Sequence, residues 1–433
     1  MSWQRTAALL FGEYVCLAIL AVPSSFAVLG MAGGILTVLG IGLVTLYTSL
    51  TLWQYCLKYP EQLNIAEIGG RIFSRTPGGF SRTAFELTAI ILLLNNIFLM
   101  GLHTLTGAEI INTLVTSPGS GWCSVALSVI VMVLCAVATL PRQLNQVAVM
   151  GIASAASMAI SILLVLIFTG IQGRHPAGVD ASSSAPVLLT VWAPEGITFV
   201  EGFNAALSIT FLWIGQITYP TFIAEMRDPR EFPKALYALT AVEFLLFSLV
   251  GIFVYAFCGQ YTGAPAVIVL APTYKKIAFA FVFPTTVIIG VIYASVAAKY
   301  IFARIFAGTK HYDHHTTLGW AVWIAVVFAI WLLGWVVGES IPFFGSLISL
   351  MSALFDSFIG FIFWTFAYLE IKRGQLWKGQ PLLRKAETLF NCALVPVGIF
   401  MLGPGTYTSV QAIIDSYATG AIKAPFGCTS NAV

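Results

Sequence analysis

Five ionisable side chains stand inside long apolar runs of this sequence: Glu13, His103, Glu243, Lys299 and Asp356. A charged group at bilayer depth costs on the order of 2.5–3.5 kcal/mol on insertion scales, so each needs a partner, a proton or a water-filled cavity. Glu13, within Leu10-Phe11-Gly12-Glu13-Tyr14-Val15-Cys16, has the chemistry to carry a coupling proton or to face a substrate ammonium. The alternative is a structural acid bonded to backbone amides. His103 changes charge near neutral pH, and is read either as a pocket or coupling residue or as a satisfied structural histidine. Asn95, Asn96 and Thr106 share its stretch and can supply polar contacts. Asp356 is central in its run and suits a gate or proton path, whereas Glu243 reads as structural. Glu86 and Glu109 lie near the ends of their run and can reach water.

The elements that must position these groups follow from hydropathy. Of 433 residues 58% are hydrophobic and 9% charged, with mean hydropathy +0.90. Soluble domains carry about 25% charged residues, so the composition is that of an all-α polytopic membrane protein. Windows of about 20 apolar residues place eleven helices at 7–29, 32–57, 84–113, 122–140, 144–170, 202–225, 236–258, 274–306, 318–338, 342–369 and 386–414. The first run starts near Thr6, carries Glu13 and continues past signal-peptide length, so it reads as a membrane helix. Residues 1–433 read as one transmembrane domain. With the N-terminus inside, seventeen of the 21 Lys and Arg fall on the cytoplasmic side, leaving Arg174, Lys275, Lys276 and Lys423 outside. That bias agrees with positive-inside placement and puts the C-terminus on the non-cytoplasmic side.

Two helices look broken. In Phe203–Lys234 the apolar run loses helical quality at Trp213-Ile214-Gly215-Gln216, recovers before Pro220, and leaves through the charged elbow Glu225-Met226-Arg227-Asp228-Pro229. Glycine removes packing and proline removes a donor, so main-chain groups are exposed there, which a bilayer tolerates only inside protein or beside a cavity. The first helix carries the second interruption, within Leu10–Ser25. Residues 7–170 and 202–369 hold five helices each. Five is odd, so the second set crosses in the opposite sense, and 386–414 is an extra helix. Interrupted helices at matching positions of inverted halves point to a site near the bilayer midplane.

Three stretches carry a family resemblance: Arg5 to Pro23, Gly101-Leu102-His103-Thr104-Leu105-Thr106, and Phe211 to Lys234 with its Glu-Met-Arg-Asp-Pro-Arg-Glu-Phe-Pro-Lys exit. On these the chain resembles the amino acid/auxin permease family of the amino acid–polyamine–cation superfamily, nearest its fungal neutral amino acid permease branch. The resemblance implies a LeuT-like fold of eleven helices with a 5+5 inverted repeat, and proton- or sodium-coupled amino acid uptake. It places Glu13 in the unwound part of helix 1. It also makes the backbone around Cys16, Leu17, Ala18 and Ile19, and around Phe211, Leu212, Trp213 and Gly215, the receiver of substrate carboxylate and ammonium. Half-helix ends offer free N–H and C=O groups, and the apolar side chains suit a neutral amino acid, with Phe211 and Trp213 as candidate caps. A helix-8 segment faces the helix-1 break in this fold, so Lys299 could replace a cation there or snorkel to the interface; Ser295 is the hydroxyl a sodium site could use. Family members usually have a longer cytoplasmic N-terminus, which leaves a truncated start as a reading. The Gly-His pair frequent on helix 6 is Gly215-Gln216 here, and the glycine-rich start of the helix-1 break is Tyr14-Val15-Cys16-Leu17.

Other patterns are assigned ordinary roles. Seven cysteines show no metal spacing; Cys123 and Cys258 fall at non-cytoplasmic helix ends and either pair or stay isolated. His311, His314 and His315 read as a solvated loop, with a metal site the lesser alternative. Gly69-Gly70 and Gly78-Gly79 lack phosphate-loop spacing, so no ATP motor is expected. A net charge of +3 suggests no nucleic-acid partner. No catalytic pair stands out inside the helices, so the chain reads as no enzyme, without cofactor or metal. The expected partners are an amino acid substrate and the lipid bilayer, for a monomer in the plasma membrane more than the vacuole. Glu13, His103 and Lys299 favour proton over sodium coupling. A carrier of polyamines or amino-acid-derived metabolites, or a transport-deficient sensor, is the alternative.

Overall fold

The computed structural model describes residues 1–74, 80–116, 122–142, 147–174, 186–341, 343–419 and 424–428. Arg75, Gly78, Gly79 and Lys423 lie outside the described residues. The described chain is helical, without strands. Among the described residues eight helices are long and apolar enough to cross a membrane, and Ser124–Thr139 and Phe199–Trp213 are shorter apolar ones. One of the eight, Leu17–Lys58, folds back at Gly30 and supplies two passes, which accounts for eleven.

The first pass begins as α1 (Trp3–Tyr14), capped by the Ser2 hydroxyl, which accepts from the Arg5 N–H. It stops at Val15, whose backbone is neither helical nor extended, and at the extended Cys16, resumes as a 3₁₀ turn at Leu17–Ala21, and continues as α2 (Val22–Lys58). Pro23 sits in the first turn of α2, where a missing N–H costs nothing; it starts the helix after the break. Gly30 has φ 77°, a left-handed conformation, and a side chain there would meet the Trp192 backbone at 2.4 Å. The amides of Met31 and Ala32, freed by the reversal, donate to the carbonyls of Thr190 and Val191 at 2.9 and 2.8 Å. The outer loop thereby closes the turn between the first two passes.

The chain continues through α3 (Ile65–Ile72), α4 (Phe80–Val115), α5 (Ser124–Thr139) and α6 (Val147–Gln172). The short α3 was not expected from hydropathy. It is amphipathic, capped by Asn64, and its Gly69 and Gly70 let it lie against Thr88 and Phe85 of α4.

The second half opens with α7 (Phe199–Trp213), started by a reciprocal cap between Thr198 and Glu201. After a non-helical stretch comes the single-turn-scale α8 (Tyr219–Ala224), then a 3₁₀ turn at Pro229–Glu231 and α9 (Phe232–Cys258). The remaining elements are α10 (Pro272–Phe306), α11 (Lys310–Asp313), α12 (Thr317–Ser340), α13 (Phe344–Met351), a π-helical stretch Ser352–Ile362, α14 (Phe363–Ile371) and α15 (Leu382–Ala418). Both interruptions fall where the sequence places them, in the first pass of each inverted five-helix half.

Packing draws the interrupted passes together. α1 lies against α6 and α9, the 3₁₀ turn against α2 and α7, and α10 spans between α4 and α6. Gly12 makes the first contact possible, because a Cβ there would sit 3.1 Å from the Gly151 backbone. The cysteine expectation is corrected: Cys123 bonds to Cys428, while Cys258 stays free and buried at the end of α9. The reason is the returning tail. Ser124 Oγ donates to the Gly427 carbonyl at 3.1 Å and Phe426 packs edgewise on Trp335, bringing Cys428 to the start of α5.

Candidate functional site

The two interruptions face each other. Ile214 is extended, and Gly215 follows with the Tyr14 ring in the space where its side chain would be: a Cβ on Gly215 would lie 1.6 Å from Tyr14 Oη. Tyr14 Oη donates to Tyr219 Oη at 2.7 Å, tying the end of α1 to the start of α8. Beside that link, Thr218 Oγ1 lies 3.0 Å from the Gly215 carbonyl and 3.3 Å from Glu13 Oε2. Farther toward the N-terminal face, the Met1 ammonium donates to the Glu225 carbonyl and Arg227 N–H donates to the Met1 carbonyl at 2.8 Å. The N-terminal half of the first pass is therefore bonded to the distal half of the sixth at three levels.

Between the breaks lies a cavity of about 70 Å³. From the first pass it receives Glu13, Tyr14, Cys16, Leu17 and Ala18, and from the sixth Phe211, Leu212, Ile214, Gly215 and Ile217. One face of α4 supplies Asn95, Leu99, Leu102 and His103, α10 supplies Ile289 and Tyr293, and the π-helical stretch supplies Asp356 and Ile359. No Lys or Arg is among the lining residues. Among the described lining residues two buried side-chain atoms lack a hydrogen-bond partner: His103 Nδ1 and Asp356 Oδ2. Buried polar atoms are nearly always bonded, so these are free to receive a ligand, a proton or water. π-Helical turns concentrate at functional sites, and here one carries the acid facing the cavity.

The backbone offers a complementary pair of dipoles. The 3₁₀ turn starting at Leu17 begins beside the cavity, and α1 and α7 end there. Helix starts favour anions and helix ends favour cations. A zwitterion can lay its carboxylate toward the Leu17 end and its ammonium toward the ends of α1 and α7. Glu13 and Asp356 add negative charge to the site, and the remaining wall is mainly aliphatic and aromatic, with Asn95 and His103 as its polar members.

Of the residues expected at the site, Glu13, Cys16, Leu17, Ala18, His103, Phe211, Leu212, Gly215 and Asp356 line this cavity. Five do not. Ile19 is fully buried in the core. Trp213 packs between Phe244 and Phe247 at ring distances of 4.8 and 5.1 Å, on the far side of its helix. Gln216 turns away toward α2, where Nε2 lies 3.2 Å from Thr48 Oγ1. Ser295 is buried elsewhere on α10, and Lys299 lines a different cavity beside Arg142. Glu243 is buried on α9 with Oε1 unbonded.

Sequence reading placed Tyr14 and Ile214 in the interrupted stretches without assigning their side chains a role, and did not assign Tyr293, Ile217, Ile289, Ile359, Leu99 or Leu102. A signal existed for the α4 face: Asn95, Leu99, Leu102 and His103 recur at helical spacing. Tyr14 had none, because its position depends on the absence of a side chain at Gly215 two hundred residues later.

Comparison with known proteins agrees with this architecture. The family model described as transmembrane amino acid transporter protein matches residues 1–408. The N amino acid transport system protein of Neurospora crassa is 32% identical over 99% of this chain and 88% of its own length. A transmembrane transporter of Gibberella moniliformis is 27% identical over 100% of this chain and 88% of that one. Among solved structures, Mhp1, a nucleobase-cation-symport-1 family transporter in a closed conformation with bromovinylhydantoin bound, superposes with TM-score 0.57 at 12% identity, covering 100% of this chain and 95% of that one. That likeness is one of fold. With eleven passes, two facing helix breaks and a family match over residues 1–408, the chain belongs to the transmembrane amino acid transporter family.

Proposed function

We propose that the chain is a proton-coupled symporter of small neutral amino acids working by alternating access. The observation that carries this reading is the cavity between the two breaks, which combines two helix interruptions, a mainly apolar wall, two carboxylates and no Lys or Arg. A neutral amino acid brings both charges of its own, so the site needs dipoles more than counter-charges. Size narrows the class. A cavity of about 70 Å³ is small, which favours small neutral amino acids over bulky ones.

Glu13 is the coupling group in this proposal. It stands at the cavity, accepts from Thr218, and lies next to Tyr14, whose bond to Tyr219 closes the N-terminal face. Protonation of Glu13 would remove a charge from the closed state, so proton and substrate together favour occlusion. Release follows when α1 swings from α8 and breaks the Tyr14–Tyr219 bond. With the basic face inward, this movement opens the cavity to the cytoplasm.

The test is uptake by the purified full-length chain in vesicles, with pH and sodium gradients imposed separately and labelled alanine, leucine, glutamine, lysine and spermidine as cargo. The reading expects accumulation of the small neutral amino acids, driven by an inward proton gradient and indifferent to sodium. Glu13→Gln should keep exchange and lose accumulation. Absence of flux for every cargo would refute it, and binding without flux would identify a sensor. A second reading, a cationic amine carrier, draws on Glu13 and Asp356 facing a cavity without Lys or Arg; accumulation of spermidine in preference to alanine would establish it.

A further inference from the structure

A second cavity, of about 360 Å³, lies between the end of α5 and the turn that joins α10 to α12. It is lined by Arg142, Lys299, His314 and His315 and by the rings of Phe302, Tyr312 and Trp323. No carboxylate is among these residues, and no ion pair to Lys299 forms among the described residues. Lys299 is half-buried and stands seven residues before the end of α10, which is about 10 Å along the axis. A cation set that far into the bundle without a counter-charge is costly unless an anion from outside completes it.

The surrounding groups are arranged as donors. The Arg142 guanidinium lies 4.4 Å from the Phe302 ring centroid and donates to the Tyr312 carbonyl at 3.3 Å, which fixes its position at the cleft. His315 Nδ1 accepts from Trp320 Nε1 at 3.2 Å, which leaves its other ring nitrogen as the donor. Ile305 near the end of α10 and Leu318 near the start of α12 are exposed apolar side chains on the two helices that contribute to the cleft.

We propose that this cleft binds a phosphate ester, and that its occupant is the headgroup of an anionic membrane phospholipid whose chains lie along α10 and α12. Basic pockets between helices at the membrane boundary have this chemistry. Arg142 supplies a planar pair of donors, Lys299 a point charge, and His315 a further N–H. The aromatic rings close the floor. This inference does not rest on the transport reading, because the cleft is separate from the cavity between the breaks.

The test uses the full-length chain in neutral phosphatidylcholine vesicles, titrated with phosphatidylserine, with a phosphoinositide, or with soluble inorganic phosphate and inositol phosphate. The lipid is placed in both leaflets, so the result does not depend on which way the chain inserts. The readout is co-purified lipid by mass spectrometry together with the unfolding temperature. The expected result is saturable retention of an anionic lipid and a raised unfolding temperature. Retention should fall about five-fold in Lys299→Gln, the size expected for one basic group beside an anionic headgroup, and return in Lys299→Arg. His315→Gln serves as a second variant should Lys299→Gln fail to fold. Stabilisation by soluble phosphate alone would keep the anion site and reject the lipid. Equal retention by parent, Lys299→Gln and His315→Gln, or no retention at all, would overturn the proposal.

Discussion

Adding one methyl group at Gly215 tests whether the two breaks work as a unit. A Cβ there would stand 1.6 Å from Tyr14 Oη and 2.1 Å from Tyr14 Cζ, so the ring must leave the gap in the sixth pass. Forcing such a group into a packed site costs about 1–3 kcal/mol, and losing the 2.7 Å bond to Tyr219 adds about 0.5–1.5 kcal/mol. The steric part alone corresponds to roughly 5- to 140-fold weaker formation of the closed state. In vesicles Gly215→Ala should therefore raise the substrate KM by at least about five-fold, with an unfolding temperature measured in parallel to separate folding from function. Tyr14→Phe removes only the hydroxyl and should cost roughly 2- to 12-fold. Trimming the ring as well should relieve the clash: the double variant Gly215→Ala/Tyr14→Ala should cost less than the two single changes added together. Unchanged KM in Gly215→Ala, or additive costs in the double variant, would refute the coupling of the breaks through Tyr14.

Other expectations follow from the same geometry. Asp356→Asn, which keeps shape and removes charge at an atom without a partner, should alter the pH dependence of uptake more than the stability of the fold; an unaltered profile would exclude Asp356 from coupling. Gly30→Ala should destabilise the fold by several kcal/mol without touching the cavity, since it combines a positive φ with a 2.4 Å backbone clash; normal expression and melting would contradict the tight turn. Peptide mapping without reductant should recover Cys123 joined to Cys428, with Cys258 free to react after denaturation.

The membrane passes and their breaks were legible because hydropathy and helix interruption are local. Gly215 with Pro220, and Glu13 inside an apolar run, mark their own neighbourhoods. What sequence could not carry is the direction in which a side chain points once helices pack. Trp213 and Gln216 border the break in the chain, yet one turns into Phe244 and Phe247 and the other toward Thr48. Lys299 shares α10 with Tyr293 but looks out on Arg142, because six residues advance the helix by about 600°, or roughly 240° beyond full turns. The tail posed a different problem. Cys428 reaches Cys123 across 305 residues, and no local pattern announces a contact of that separation.

The central claim is that substrate sits between the two breaks, and Cys16 provides a reporter inside that cavity. With exposed Cys392 replaced by serine, the rate at which a small thiol reagent labels Cys16 can be followed with and without saturating amino acid. Small neutral amino acids should slow the labelling in proportion to occupancy, while lysine at the same concentration leaves it unchanged. Labelling that stays at its starting rate in the presence of an amino acid the chain transports would place the substrate elsewhere and contradict the account.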